Sequence, residues 1–194
     1  MGMPLFLSFF LGIFSMGFQL LGSRLLGPWF GSSIIVWAFL ISAFLVAFSI
    51  GSIGGGFLVK LPLPTRRKGM IVVASVAVAG FAINALAGAA FLSWLDSMSV
   101  SQTAGLAAAC GLLFLPPVAA LAAFTPILVQ AVNDRGQTAG FASGLIYCVS
   151  TLGNIAGIML TAFVFIPRLP VSGLLWIWTA GVAVSAVLLV RCVR

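Results

Sequence analysis

Six long runs of apolar residues alternate with short polar connectors along the chain. The runs cover roughly residues 4–23, 33–59, 69–95, 104–131, 140–166 and 173–190. A helix crossing a bilayer needs about 20 such residues, so each run predicts a transmembrane helix. The runs well beyond that length predict tilt or kinks. The connectors "GPWFG", "KLPLPTRRKG", "DSMSVSQT", "NDRGQ" and "PRLPVSG" are rich in turn formers. None leaves room for a second, soluble domain. The pattern therefore predicts one all-α domain over residues 1–194, a polytopic six-transmembrane-helix bundle.

Finer patterning lies inside the runs. The first carries Ser8, Gly12, Ser15, Gln19 and Gly22, and the fifth Gly140, Ser143, Tyr147, Ser150, Asn154, Gly157 and Thr161. Alternating steps of three and four put each set on one helix face. Small residues let membrane helices approach closely, while hydroxyls and amides can bond across the contact. Gly140/Gly144, Gly153/Gly157 and Gly51/Gly55 add three G-x-x-x-G spacings. A packed face is the expectation, and a polar pathway along that face the alternative. Asn84 and Asn154 sit near the middles of the third and fifth runs, at similar depth. Both are expected to face the bundle interior, where a direct hydrogen bond between them is plausible. In the fourth run, Pro116, Pro117 and Pro126 each lack a donor and clash one turn back, freeing the carbonyls of Leu112, Leu113 and Ala122. Such a break is either a kink satisfied by neighbours or, as in transporters, an exposed binding element.

Composition agrees with the membrane reading. The chain is 62% apolar and 6% charged, against about 45–50% and 25% in soluble domains. The net charge of +7 is not read as a nucleic-acid signal, because the cations lie in short connectors. Lys60, Arg66, Arg67, Lys68, Arg135, Arg191 and Arg194 fall on one side, and only Arg24 and Arg168 on the other. The positive-inside rule then puts both termini in the cytoplasm. Trp29, Trp37, Trp94, Trp176 and Trp178 all fall near the outer ends of their runs, predicting an aromatic belt on one face. The N-terminus lacks a basic n-region and a cleavage site, so it reads as a retained helix and not a signal peptide. Phe6 stands where a myristoylation motif needs Ser or Thr.

The residues needed for catalysis are scarce. There is no histidine, which removes histidine-ligated cofactors and histidine acid–base chemistry. Cys110, Cys148 and Cys192 form no C-x-x-C, and the two inside apolar runs read as small buried hydrophobes. The only acids, Asp96 and Asp134, lie at opposite ends by this topology and cannot form a dyad. "GSIGGG" falls inside an apolar run and is not a phosphate loop. No enzyme activity, cofactor or metal is expected.

The stretch "LLGSRLLGPWFGSSIIVWAFLISAFLVAFSIGSIGGG", followed later by "TPILVQAV" and "AGFASGLIYCVSTLGNIAGIMLTAFVFIP", resembles the membrane portion of the fused major facilitator/spermidine synthase-like family. The resemblance covers nearly the whole chain and implies a fold like one half of a major facilitator, built from inverted three-helix repeats. No internal sequence repeat is evident. Relatives continue into a synthase-like soluble domain, whereas these 194 residues stop a few residues after the sixth run, so that domain's activity is not expected here, and Gln19 stands at the usual helix-1 glutamate. The acid that commonly ends helix 2 is also absent. These departures imply a non-enzymatic integral membrane subunit of the bacterial cytoplasmic membrane. It would act as a scaffold, accessory or assembly component of a larger complex, with membrane lipid and either other membrane subunits or further copies of itself as partners. The alternatives are a small homodimeric transporter of the major facilitator type, or a membrane anchor for a separate polyamine-synthase-like enzyme. The residues singled out are Gln19, Arg24, Asn84, Pro116, Pro117, Tyr147, Asn154, Gly153 and Gly157. For Arg24 the expected partners are the carbonyls of the "GPWFGSS" turn, lipid phosphate, or an acid on another subunit, with the turn carbonyls foremost.

Overall fold

In lipid every backbone N–H and C=O must be satisfied within the chain, which leaves the helix as the only local solution for these apolar runs. The computed structural model describes residues 2–98 and 101–192, and every apolar run is helical in it. Six helices long and apolar enough to span a membrane follow one another: α1 Gly2–Phe30, α2 Ile34–Lys60, α3 Leu63–Ser97, α4 Gln102–Asn133, α5 Ala139–Phe165 and α6 Val171–Cys192. Ser33, Ser101 and Thr138 cap α2, α4 and α5, each accepting a backbone N–H at 3.4 Å. Gly31 (φ 74°) and Gly136 (φ 86°) take the left-handed conformations that turn the chain after α1 and α4. Ser99 and Val100 of the "DSMSVSQT" connector lie outside the described residues, as does Arg194 of the basic end.

α1, α3, α4 and α6 outrun their expected bounds at both ends. α1 continues through "GPWF" to Phe30 with Pro28 inside it. Pro28 leaves only the Arg24 carbonyl without its helical donor, at an exposed helix end, and its fixed φ suits the helix. α3 begins at Leu63, with Pro64 in the first turn where a missing N–H costs nothing. The cations Arg66, Arg67 and Lys68 are therefore helical residues and not part of a loop.

Packing pairs the helices across the two halves of the chain. The most extensive contacts join α2 to α4 and α1 to α5, followed by α3 to α6. Glycines set the first two. A Cβ on Gly51 or Gly55 would strike the carbonyls of Ala119 and Ala123 on α4, and one on Gly153 or Gly157 the carbonyls of Phe9 and Ile13 on α1. Such approaches bring Cα hydrogens onto facing carbonyls, contacts worth about 0.5–1 kcal/mol each. The register is the same in both places: exchanging α1 with α4 and α2 with α5 maps Phe9 onto Ala119, Ile13 onto Ala123, Gly51 onto Gly153 and Gly55 onto Gly157. The α3–α6 contact maps onto itself. Consecutive helices joined by short connectors run in opposite directions, so α1 and α4 are antiparallel and the relation is an inverted one. The repeat missing from the sequence is present in the packing, because it is carried by backbone approach and not by side-chain identity.

At the centre, Phe18, Phe44, Phe81 and Phe114 from α1 to α4 are fully buried. Phe18 stacks at 4.3 Å on Phe81 and meets Phe114 at 5.4 Å, centroid to centroid. Trp178 corrects the expectation of a five-tryptophan belt. It is buried in the core, its Nε1 donates to the Phe14 carbonyl at 3.1 Å, and it meets Phe14 and Phe165 edge to face. An indole is buried readily when its N–H finds an acceptor. Trp94 and Trp176 are exposed, as a belt requires.

Candidate functional site: a polar cleft and a broken helix

Four helices meet around a cleft of about 220 Å³. Leu11, Gly12 and Ser15 of α1, Phe48 and Ser52 of α2, Leu121, Ala122 and Thr125 of α4, and Tyr147, Ser150 and Asn154 of α5 line it. The inverted register maps Leu11 onto Leu121, Gly12 onto Ala122, Ser15 onto Thr125, Phe48 onto Ser150 and Ser52 onto Asn154. The cleft therefore straddles the pseudo-twofold axis. By position along the helices it reaches from mid-bundle toward the end that bears both termini. Its polar lining is hydroxyls and one amide, with no charge. Ser15 is buried and its Oγ has no hydrogen-bond partner among the described residues. The set can hydrogen-bond a neutral polar group.

Two of the expected residues, Tyr147 and Asn154, belong to this cleft. Asn154 is half-buried, with its Oδ1 beside Gly12. Tyr147 is 75% exposed. The two halves of the α5 stripe part company here. Gly153, Gly157 and Thr161 are buried against α1, whereas Gly140, Ser143 and Gly144 are exposed and a Cβ on either glycine would meet nothing. The Gly140/Gly144 spacing is thus not a packed face in this bundle. The packing there falls to Ala142 and Ile146, whose carbonyl accepts from Ser8 Oγ at 3.1 Å. Cys148, expected to be buried, is exposed on the same outward face, while Cys110 is buried.

Asn84 does face the interior, but its partner is not Asn154. Its Nδ2 donates at 2.7 Å to the Leu113 carbonyl and at 2.9 Å to that of Gly80. Leu113 stands one turn before Pro117, so its carbonyl is one of those the prolines free. The helix widens into a π-turn over Cys110–Phe114, directly before the prolines. Pro117 is buried with its ring against Gly80, and Pro116 is exposed. The carbonyl freed by Pro117 is thus satisfied internally by α3, while Ala122, whose carbonyl Pro126 frees, lines the cleft. A second π-turn, Leu160–Phe165, ends α5.

At the opposite end the arginines divide. Arg168 Nη1 donates to the carbonyls of Val164 at 2.9 Å and Phe163 at 3.5 Å, capping α5 with a cation at its negative end. Arg24 makes no such clamp. In its turn, other donors serve the neighbouring groups: Ser23 Oγ bonds the Leu20 carbonyl, Gln102 Nε2 that of Phe30, and the Gly31 N–H that of Gly27. Arg24 is exposed on the rim of a separate hollow of about 520 Å³ between α1, α2 and α5. Gln19 is half-buried on α1, one turn beyond Ser15. Among family models, curated proteins and solved structures, none matches this chain.

Proposed function

We propose that the protein is a non-enzymatic membrane subunit that assembles with a second membrane protein across its α2/α5 face, with the polar cleft lying against that partner. The single observation that carries this is the outward face of α5. Tyr147 lies eight residues from the helix start, about 12 Å along the axis. That is deeper than the interfacial layer where tyrosine anchors favourably. Exposed Ser143, Cys148 and Thr151 surround it, and α5 is the least buried of the six helices. A phenol facing hydrocarbon lacks hydrogen-bond partners that another protein would supply. The inverted packing supports descent from a half-transporter architecture of the major facilitator/synthase-like kind. Seven of the nine cations at one end support both termini being cytoplasmic.

A second reading, a homodimeric transporter for a neutral polar solute, is favoured by the cleft itself. Two copies meeting on this face would join two clefts, each with an unpartnered Ser15 hydroxyl. Cys148 supplies the test. In a Cys110→Ser/Cys192→Ser background, thiol cross-linking through Cys148 in native membranes is expected to trap a membrane protein of different mass. A trapped second copy instead supports the transporter reading. A chain that is never cross-linked and purifies as a monomer in gentle detergent overturns both.

A further inference from the structure

A different part of the surface points to a lipid. At the end bearing both termini, α3 and α6 enclose a groove of about 690 Å³. Its walls are Ile71, Val78, Val187 and Val190, and alanines including Ala79 and Ala183 keep it open. Arg67 and Arg191 stand at its mouth. The only acids of the chain, Asp96 and Asp134, do not line it. The N-terminus of α3 has no side-chain cap, so its free N–H groups add to the positive field around Arg67. Along α3 the groove runs from Arg67 to Ala79, about 18 Å at 1.5 Å per residue. That is slightly more than half of a ~30 Å hydrocarbon core, the depth of one leaflet. The groove therefore offers two cations at headgroup level and an apolar channel one acyl chain deep below them.

We propose that this groove is a binding site for an anionic phospholipid, with the phosphate between Arg67 and Arg191 and one acyl chain lying along Ala79 and Ala183. Zwitterionic lipids can enter the channel but gain less from the two guanidiniums. None of these residues belongs to the polar cleft, so the assignment does not depend on what covers α5.

Native mass spectrometry of the detergent-purified full chain, titrated with dioleoylphosphatidylglycerol or dioleoylphosphatidylcholine, tests it. The expected result is one phosphatidylglycerol held per chain, in clear preference to phosphatidylcholine. R67Q/R191Q should weaken it by about 30-fold, from roughly fivefold per arginine at a membrane surface. Ala79→Phe fills the groove at an exposed position, leaves both arginines, and should abolish retention; it decides the matter if the double variant fails to fold. Equal retention of the two lipids overturns the assignment. So does unchanged binding in R67Q/R191Q or in Ala79→Phe, or full displacement of the lipid by millimolar inorganic phosphate.

Discussion

Pro117 lacks the N–H that would bond the Leu113 carbonyl, and Asn84 Nδ2 stands 2.7 Å from that oxygen in its place. Hydrogen bonds between membrane helices contribute about 0.6 kcal/mol on average and up to about 1.7. A carbonyl with no alternative donor belongs at the upper end. Asn84→Ala is therefore expected to destabilise by about 1–2 kcal/mol. Pro117→Ala returns a backbone N–H to the same carbonyl. The double variant should then be more stable than the two single effects added together. Thermal unfolding of the four proteins in one detergent closes the cycle, and strict additivity would show that the amide and the proline are unrelated. Proline spacing identifies which carbonyls are freed, so that half of the arrangement is legible in the sequence. The donor is not, because nothing in one sequence gives the rotation of α3 about its axis. The same limit explains Trp178 and Arg24. Depth does not tell which carbonyl a side chain reaches: the Phe14 carbonyl holds Trp178 in the core, whereas Arg24 stays exposed.

At the scale of the helix, α5 shows why spacing identifies a face but not how far it packs. Gly140/Gly144 and Gly153/Gly157 have the same pattern, yet only the second pair meets backbone. The close approach to α1 is confined to the second half of α5, at Gly153 and Gly157. Gly157→Ala should cost about 1–3 kcal/mol, since its Cβ would strike the Ile13 carbonyl and backbone must move. Gly144→Ala has open space and exchanges a poor helix former for the best, a change of about −1 kcal/mol in the isolated subunit. Comparing the two melting temperatures in micelles checks the asymmetry. In an assembled complex, loss of partner from Gly144→Ala alone would mark that glycine as part of the interface. The six membrane spans and the turn-rich connectors between them are legible in the sequence, because each follows from a local rule. The ends of α1 and α3 ran past expectation because proline in a terminal turn does not stop a helix.

Over the whole molecule, the principal contacts cross between residues 2–98 and 101–192, and those between helices inside either set are sparse. The inverted register of Gly51/Gly55 and Gly153/Gly157 makes the two sets complementary. Each set alone should be degraded or aggregate, and the two expressed as separate chains should reconstitute the bundle. Co-purification through a tag on one fragment measures this. A stable, monodisperse 1–98 fragment would show that the cross-half contacts are dispensable. The six-helix class followed directly from hydropathy. The pairing that organises it did not, since Ala119 and Ala123 give no hint that glycines elsewhere seek their carbonyls.

That pairing also has a consequence for biosynthesis. The nascent chain releases α1, α2 and α3 before any of their main partners exist. With translation at about 5–20 residues per second, the 36 residues from Ser97 to Asn133 take about 2–7 s. For that interval Gly51, Gly55 and the Phe9 to Ile13 segment face lipid or an insertase, with their close-packing surfaces vacant. Stalling the ribosome before α4 emerges should thus leave an insertion intermediate unusually sensitive to membrane proteases, and release past Asn133 should protect α2 first.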